Sequence, residues 1–217
     1  MSENQNNDKK INRFIAGKGV MNLPNQLTVS RVLMIPVFIL FFYLNFTAHY
    51  FVALAVFAIA SLTDMLDGMI ARKYGLVTNL GKFLDPIADK VLVLSAFVVL
   101  LTKPWIFTAN LGSWAIIVAG CGVAVILARE IIVSGFRMVA AGAGLVIAAD
   151  KWGKYKTITQ DLSIIVIFIS AGVMELTSHI AAEIINYIGL GLFALAVLLT
   201  VISGINYIVK NIKVLKN

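Results

Sequence analysis

The chain has 217 residues, of which 60% are hydrophobic and only 13% charged, with a formal net charge of +7. A mean hydropathy of +0.92 lies far from the soluble average and excludes an ordinary water-soluble domain. One cysteine and two histidines exclude a disulfide framework and a Cys/His zinc pattern, and no DNA- or RNA-binding pattern accompanies the positive charge.

Residues 1–20 read as a polar, Asn-rich cytoplasmic segment. Six apolar runs follow, at roughly 27–46, 51–71, 83–102, 113–140, 158–178 and 182–208, each long enough to span a bilayer. The expected fold is all-α: residues 21–210 form a polytopic integral membrane domain of six transmembrane helices, and 211–217 form a basic cytoplasmic tail. The first run follows a polar head of over twenty residues and so is not a cleavable signal peptide. The fourth is too long for a simple span and is expected to project from the bilayer or bend.

Orientation follows from the cations. Lys9, Lys10, Arg13 and Lys18 precede the first span; Arg72, Lys73 and Lys82 lie between spans two and three; Arg137, Lys151, Lys154 and Lys156 follow span four; Lys210, Lys213 and Lys216 end the chain. The opposite loops hold only Lys103 among Lys and Arg, with His49, Glu175, His179 and Glu183. The positive-inside rule puts both termini in the cytoplasm, for a multi-pass protein of the cell membrane. The positive charge then reflects topology and contact with anionic lipid or phosphate rather than nucleic acid.

In the first span, MNLPNQLTVSR, Pro24 and Asn25 make a turn, and Thr28 or Asn25 is expected to cap the helix. Asn25, Thr28 and Arg31 recur at three-residue steps and present one polar face at the cytoplasmic rim. Pro36 is expected to bend or weaken this span.

Spans two and three meet in SLTDMLDGMIARKYGLVTNLGKFLDPIADK, Ser61 to Lys90. Asp64 and Asp67 share one helix face, as do Asp85 and Asp89. Gly68, Ala71, Arg72, Gly75, Asn79 and Gly81 read as a short turn between the pairs, and Pro86 is expected in the first turn or so of the third span. With antiparallel helices and about 1.5 Å rise per residue, both pairs lie roughly 6–12 Å below the same rim. Ionised carboxylates in such a site protonate, pair or bind cations. Oxygen-ligated Mg²⁺ or Mn²⁺ is the natural filler; a structural ion-pair cluster or a transporter gate is the alternative.

The spacing Asp64-x2-Asp67-Gly68-x2-Ala71-Arg72-x8-Gly81-x3-Asp85-x3-Asp89 resembles the signature of the CDP-alcohol phosphotransferases, with no departure at a defining position. The signature covers 26 residues, and the six-span plan fits the family. The resemblance implies transfer of a phosphatidyl group from CDP-diacylglycerol to an alcohol, with release of CMP. It implies Asp64, Asp67, Asp85 and Asp89 as ligands of two Mg²⁺ or Mn²⁺ ions, and Asp89 as the general base. It also implies a donor site built from Gly68, Ala71, Arg72 and Gly81, to which the polar face of Asn25, Thr28 and Arg31 is expected to contribute, opening to the cytoplasm.

The later half bears on the acceptor. Arg129 lies about sixteen residues into its span beside Glu130, its expected partner, and intramembrane charges usually face a cavity. Arg137 is eight residues on, and Lys151, Lys154 and Lys156 follow. Arg suits a phosphate by its fork geometry; ordinary positive-inside charge is the plainer reading of the lysines. NLPNQLTVSR, ARE..VSGFR and GKYKT are similar to one subgroup of the family, the phosphatidylglycerophosphate synthases. That resemblance implies sn-glycerol 3-phosphate as acceptor, its phosphate on Arg129, Arg137, Lys151, Lys154 and Lys156. Inositol phosphate and serine are the alternatives.

Gly120, Gly122, Gly142, Gly144, Gly189, Gly191 and Gly204 mark helix packing or turns, with a homodimer expected through spans three to five. Cys121 is expected in the core, and His49 and His179 in solvated outer loops. A membrane prenyltransferase also pairs Asp motifs with Mg²⁺, but its motifs lie far apart in sequence. A divalent-cation transporter should carry a second polar set or an inverted repeat, and no second acidic motif follows Lys103.

Overall fold

Asn22 opens the first helix. Its side chain accepts the Asn25 N–H at 3.1 Å, and Pro24 stands in the first turn, where a missing N–H costs nothing. The cap is therefore Asn22 and not Asn25 or Thr28, whose side chains remain available for the site. A computed structural model describes residues 22–74, 78–108, 111–142, 151–177 and 180–211. The expectations for residues 1–20, for Gly75, Gly144 and His179, and for the tail beyond Asn211 lie outside the described residues.

All regular structure among the described residues is helical: α1 (Leu23–Tyr43), α2 (His49–Tyr74), α3 (Asn79–Leu101), the one-turn α4 (Trp105–Thr108), α5 (Trp114–Gly142), α6 (Lys151–Leu176) and α7 (Ile180–Asn211). Helices α1, α2, α5, α6 and α7 are long and apolar enough to cross a membrane, as a multi-pass membrane protein requires. The third expected span falls on α3. Lys82, Asp85, Asp89 and Lys90 occupy the first half of that helix, and its apolar run begins only at Val91. The long fourth run is one continuous helix of 29 residues, about 43 Å at 1.5 Å per residue, so it outreaches a hydrocarbon layer of about 30 Å. Leu33, Ile59, Ile117, Ile131, Leu198 and Ile205 point outward, a placement that suits lipid.

The chain divides into two compact units, Met1–Ser95 and Ala96–Asn217, at a point inside α3. In the first, α1 and α2 pack along two stripes at three- and four-residue steps. On α1 the stripe is Asn25, Thr28, Arg31, Ile35, Phe38 and Phe42; on α2 it is Tyr50, Ala53, Phe57, Ala60, Asp64 and Asp67. The antiparallel register sets Phe42 on Tyr50, with ring centroids 5.2 Å apart, and Phe38 on Phe57 at 6.1 Å. One end of the interface is thus aromatic and the other ionic. The backbone continues as helix through Pro36.

In the second unit α7 is the central element, packing on both α5 and α6. Small residues allow close approach: a Cβ on Gly189 would meet Ile167 Cγ1 at 2.8 Å, and one on Gly122 would meet Phe193 Cζ at 2.9 Å. Buried Asn186 donates from Nδ2 to the Ile106 carbonyl at 3.0 Å, tying α4 to α7.

Four further expectations are corrected. Gly68, Ala71, Arg72, Asn79 and Gly81 are helical and not part of a turn, because α2 runs to Tyr74 and α3 starts at Asn79. Pro86 falls in the third turn of α3, not its first. His49 is buried and stacked on Tyr50, centroids 4.0 Å apart, because it begins α2 against the aromatic end of the interface. Cys121 is exposed on α5; its neighbour Gly122 is the one turned toward α7.

Candidate active site

The α2 stripe passes from Ala60 into Asp64 and Asp67, and the α1 stripe meets it with Arg31. This guanidinium is fully buried. Its Nη1 pairs with Asp64 Oδ1 at 2.6 Å, and its Nη2 donates to Asp67 Oδ2 at 2.5 Å. The Asp67 side chain is 3% exposed and that of Asp64 41%, so Asp67 forms the floor and Asp64 the lip of the cluster. One turn earlier on α1, the Thr28 hydroxyl faces Asp85 Oδ1 at 2.7 Å, the Pro24 carbonyl at 3.2 Å and Asp67 Oδ2 at 3.3 Å. A hydroxyl proton serves one acceptor at a time, and Asp85 is the nearest. Asn25 completes the series, donating from Nδ2 to Thr78 Oγ1 at 2.8 Å.

The two halves of the motif are therefore braced through α1. Thr78 was not singled out from the sequence, although a threonine three residues before Gly81, at a helix start, is a capping signal. Its Oγ1 accepts the Gly81 N–H at 3.0 Å. Gly81 is buried, and a Cβ there would fall 2.8 Å from Asn25 Oδ1; this close approach is the reason for glycine. Asp64, Asp67 and Asp85 lie close enough to repel one another. Asp89 is half-buried one turn beyond Asp85 on the same helix. The side chains of Ala71 and Arg72 lie outside the described residues, and Gly68 is half-buried on α2.

The donors facing one another are oxygens, the chemistry hard divalent cations take. Asp64, Asp67 and Asp85 against one guanidinium leave two negative charges. Among the described residues no three acidic, His or Cys side chains are arranged to hold an ion as they stand. Arg31 takes one oxygen of Asp64 and one of Asp67, and Thr28 takes one of Asp85, leaving Asp64 Oδ2, Asp67 Oδ1 and Asp85 Oδ2 outside these contacts. The donor set and its charge fit a divalent cation.

The second unit holds a basic cluster. Glu130 Oε1 accepts from Arg129 Nη1 at 3.1 Å and also from Lys156 Nζ, and Arg129 Nη2 donates to Ser203 Oγ at 3.2 Å. Gly204 lets Arg129 lie against α7, since a Cβ there would sit 3.1 Å from Arg129 Cγ. Two cations and one carboxylate leave a net positive charge. Arg129 Nε and Gln160 Nε2 are buried donors with no partner among the described residues. Arg137 is exposed and held by Tyr207, with Nε donating to the phenol oxygen at 3.2 Å. Lys151 and Lys154 are exposed at the start of α6, outside the buried cluster. Of the five expected acceptor residues, Arg129 and Lys156 are brought together, and Glu130 is the partner expected of it. Ser203, Tyr207 and Gln160 had no sequence signal beyond a polar residue on an apolar helix.

Residues 21–207 match the family model for CDP-alcohol phosphatidyltransferase. A Bacillus subtilis protein named CDP-diacylglycerol–glycerol-3-phosphate 3-phosphatidyltransferase is 37% identical over 210 residues, covering 91% of this chain and 98% of its own. A Rickettsia typhi protein of the same name is 38% identical over 187 residues, 86% of this chain and 94% of its own. One from Pseudomonas fluorescens is 42% identical over 150 residues, 68% and 72% of the two chains.

Proposed function

We propose that this chain, which belongs to the CDP-alcohol phosphatidyltransferase family, transfers the phosphatidyl group of CDP-diacylglycerol to sn-glycerol 3-phosphate, giving phosphatidylglycerol phosphate and CMP. The observation that carries the reading is the meeting of Asp64, Asp67 and Asp85 around Arg31 and Thr28, in a motif that resembles the family signature at every defining position. The names of the relatives support the donor and the acceptor.

The family is metal-dependent. Asp64, Asp67, Asp85 and Asp89 would hold Mg²⁺ or Mn²⁺, two ions in the working state, which supply charge neutralisation at the diphosphate. Asn25, Thr28, Gly68, Ala71, Arg72 and Gly81 serve the donor, with Arg31 acting through the aspartates it holds. Asp89 accepts the proton of the attacking hydroxyl. That oxygen forms the new bond to the phosphatidyl phosphorus as the bond to CMP breaks. Arg129 and Lys156, held by Glu130, orient the acceptor's phosphate, and Arg137, Lys151 and Lys154 add positive charge around it.

The chain works in the cell membrane as six spans, α3 being the sixth, with both termini and the aspartate cluster toward the cytoplasm; the distribution of Lys and Arg supports this. It acts as a homodimer. The small, outward-facing stripe of Gly120, Ala124, Ala128 and Gly135 on α5 supports that contact. The test of the reaction is an acceptor panel with CDP-diacylglycerol: glycerol 3-phosphate, inositol phosphate, inositol and serine in separate reactions, the lipid product identified by mass. Product with glycerol 3-phosphate alone supports the reading; product with another alcohol overturns the acceptor.

A further inference from the structure

We infer that Arg31 is the resident counter-ion of the aspartate cluster: it pins one oxygen each of Asp64 and Asp67 and stabilises the metal-free protein until a divalent cation takes over that compensation. The inference rests on the reading of these aspartates as a divalent-cation site.

Arg31 is fully buried, and its contacts at 2.6 and 2.5 Å go to two different carboxylates. A guanidinium stays charged at any working pH, so in the metal-free protein it compensates these carboxylates without depending on a protonation state. Removing one partner of a buried ion pair leaves an uncompensated charge and is strongly destabilising. Here the loss would leave Asp67, 3% exposed, beside Asp64 and Asp85 with no other cation contact among the described residues. The contacts also use only Asp64 Oδ1 and Asp67 Oδ2, so each carboxylate is oriented through one oxygen while the other stays outside the pair. Partners of this kind fix ligand geometry in metal sites. Arg31 is therefore a positioning residue, and its importance should depend on whether a divalent cation is bound.

The test compares the melting temperature of the full-length wild type and Arg31→Met in detergent, each in EDTA and in saturating Mn²⁺. Arg31→Met should lose on the order of 10 °C in EDTA and less than half of that in Mn²⁺, because the cation supplies the missing charge. Arg31→Met/Asp67→Asn, which removes the buried carboxylate's charge together with its partner, should recover much of the EDTA loss; it also serves if the single variant does not fold. A penalty of equal size with and without Mn²⁺, or no recovery in the double variant, overturns the inference while leaving the metal site standing. Absence of any Mn²⁺ shift in the wild type would overturn the cation reading itself, and the inference with it.

Discussion

The Thr28 hydroxyl on α1 lies 2.7 Å from Asp85 on α3, fifty-seven residues away in the chain. Through this contact a helix outside the signature fixes the second half of the motif, while three residues on Arg31 fixes the first. Thr28→Val keeps the shape and removes the hydroxyl. Loss of one hydrogen bond to a carboxylate should cost about 1.5–3 kcal/mol if the carboxylate does not find another partner. Turnover should fall by at least tenfold while the helical content measured by circular dichroism stays the same. Full activity in Thr28→Val would show that the bond does not position Asp85.

Metal dependence should reside in the first aspartate pair. Asp64→Ala or Asp67→Ala should shift the Mg²⁺ or Mn²⁺ titration of activity to higher concentration, and chelation should silence the wild type reversibly. An unchanged titration in both variants would remove these residues from the ligand set.

On the acceptor side, Arg129→Ala should raise KM for glycerol 3-phosphate or lower kcat, with donor binding little altered. Lys156→Ala should act in the same direction because both side chains share Glu130. A defect confined to CDP-diacylglycerol binding would send the acceptor phosphate elsewhere.

Packing makes a separate prediction. Gly189→Val places atoms within 2.8 Å of Ile167 Cγ1 and 3.2 Å of the Ile167 backbone nitrogen, and backbone does not yield as a side-chain tip does. Overpacking of this kind costs about 1–3 kcal/mol and should lower the melting temperature. Gly135→Val, where nothing lies within 4 Å, should be far milder for the monomer.

Much of this was legible in the sequence because a membrane simplifies the problem. Apolar runs of fixed length mark helices, and carboxylates against that background stand out, so Asp64, Asp67 and Asp85 could be grouped before any coordinates. The expected partners were less legible. Arg31 was grouped with the donor by its polar face, yet its guanidinium lies between Asp64 and Asp67, thirty-three and thirty-six positions away, and periodicity says nothing about which helix packs opposite. Local competition misled in the same way at the first cap, where Asn22, Asn25 and Thr28 are all good capping residues and the turn geometry at Pro24 decides. Gly68 and Gly81, read as part of a turn between Asp67 and Asp85, are helical, because glycine marks close approach as readily as it marks a bend.

The most direct test of the central claim is CMP release by the purified protein with CDP-diacylglycerol, glycerol 3-phosphate and Mg²⁺ or Mn²⁺, run beside Asp89→Asn. The account predicts CMP formation that depends on both the acceptor and the cation, and its loss in Asp89→Asn while CDP-diacylglycerol still binds. Wild-type-like turnover in Asp89→Asn would contradict the general base, and no CMP from the wild type with any acceptor would contradict the reaction itself.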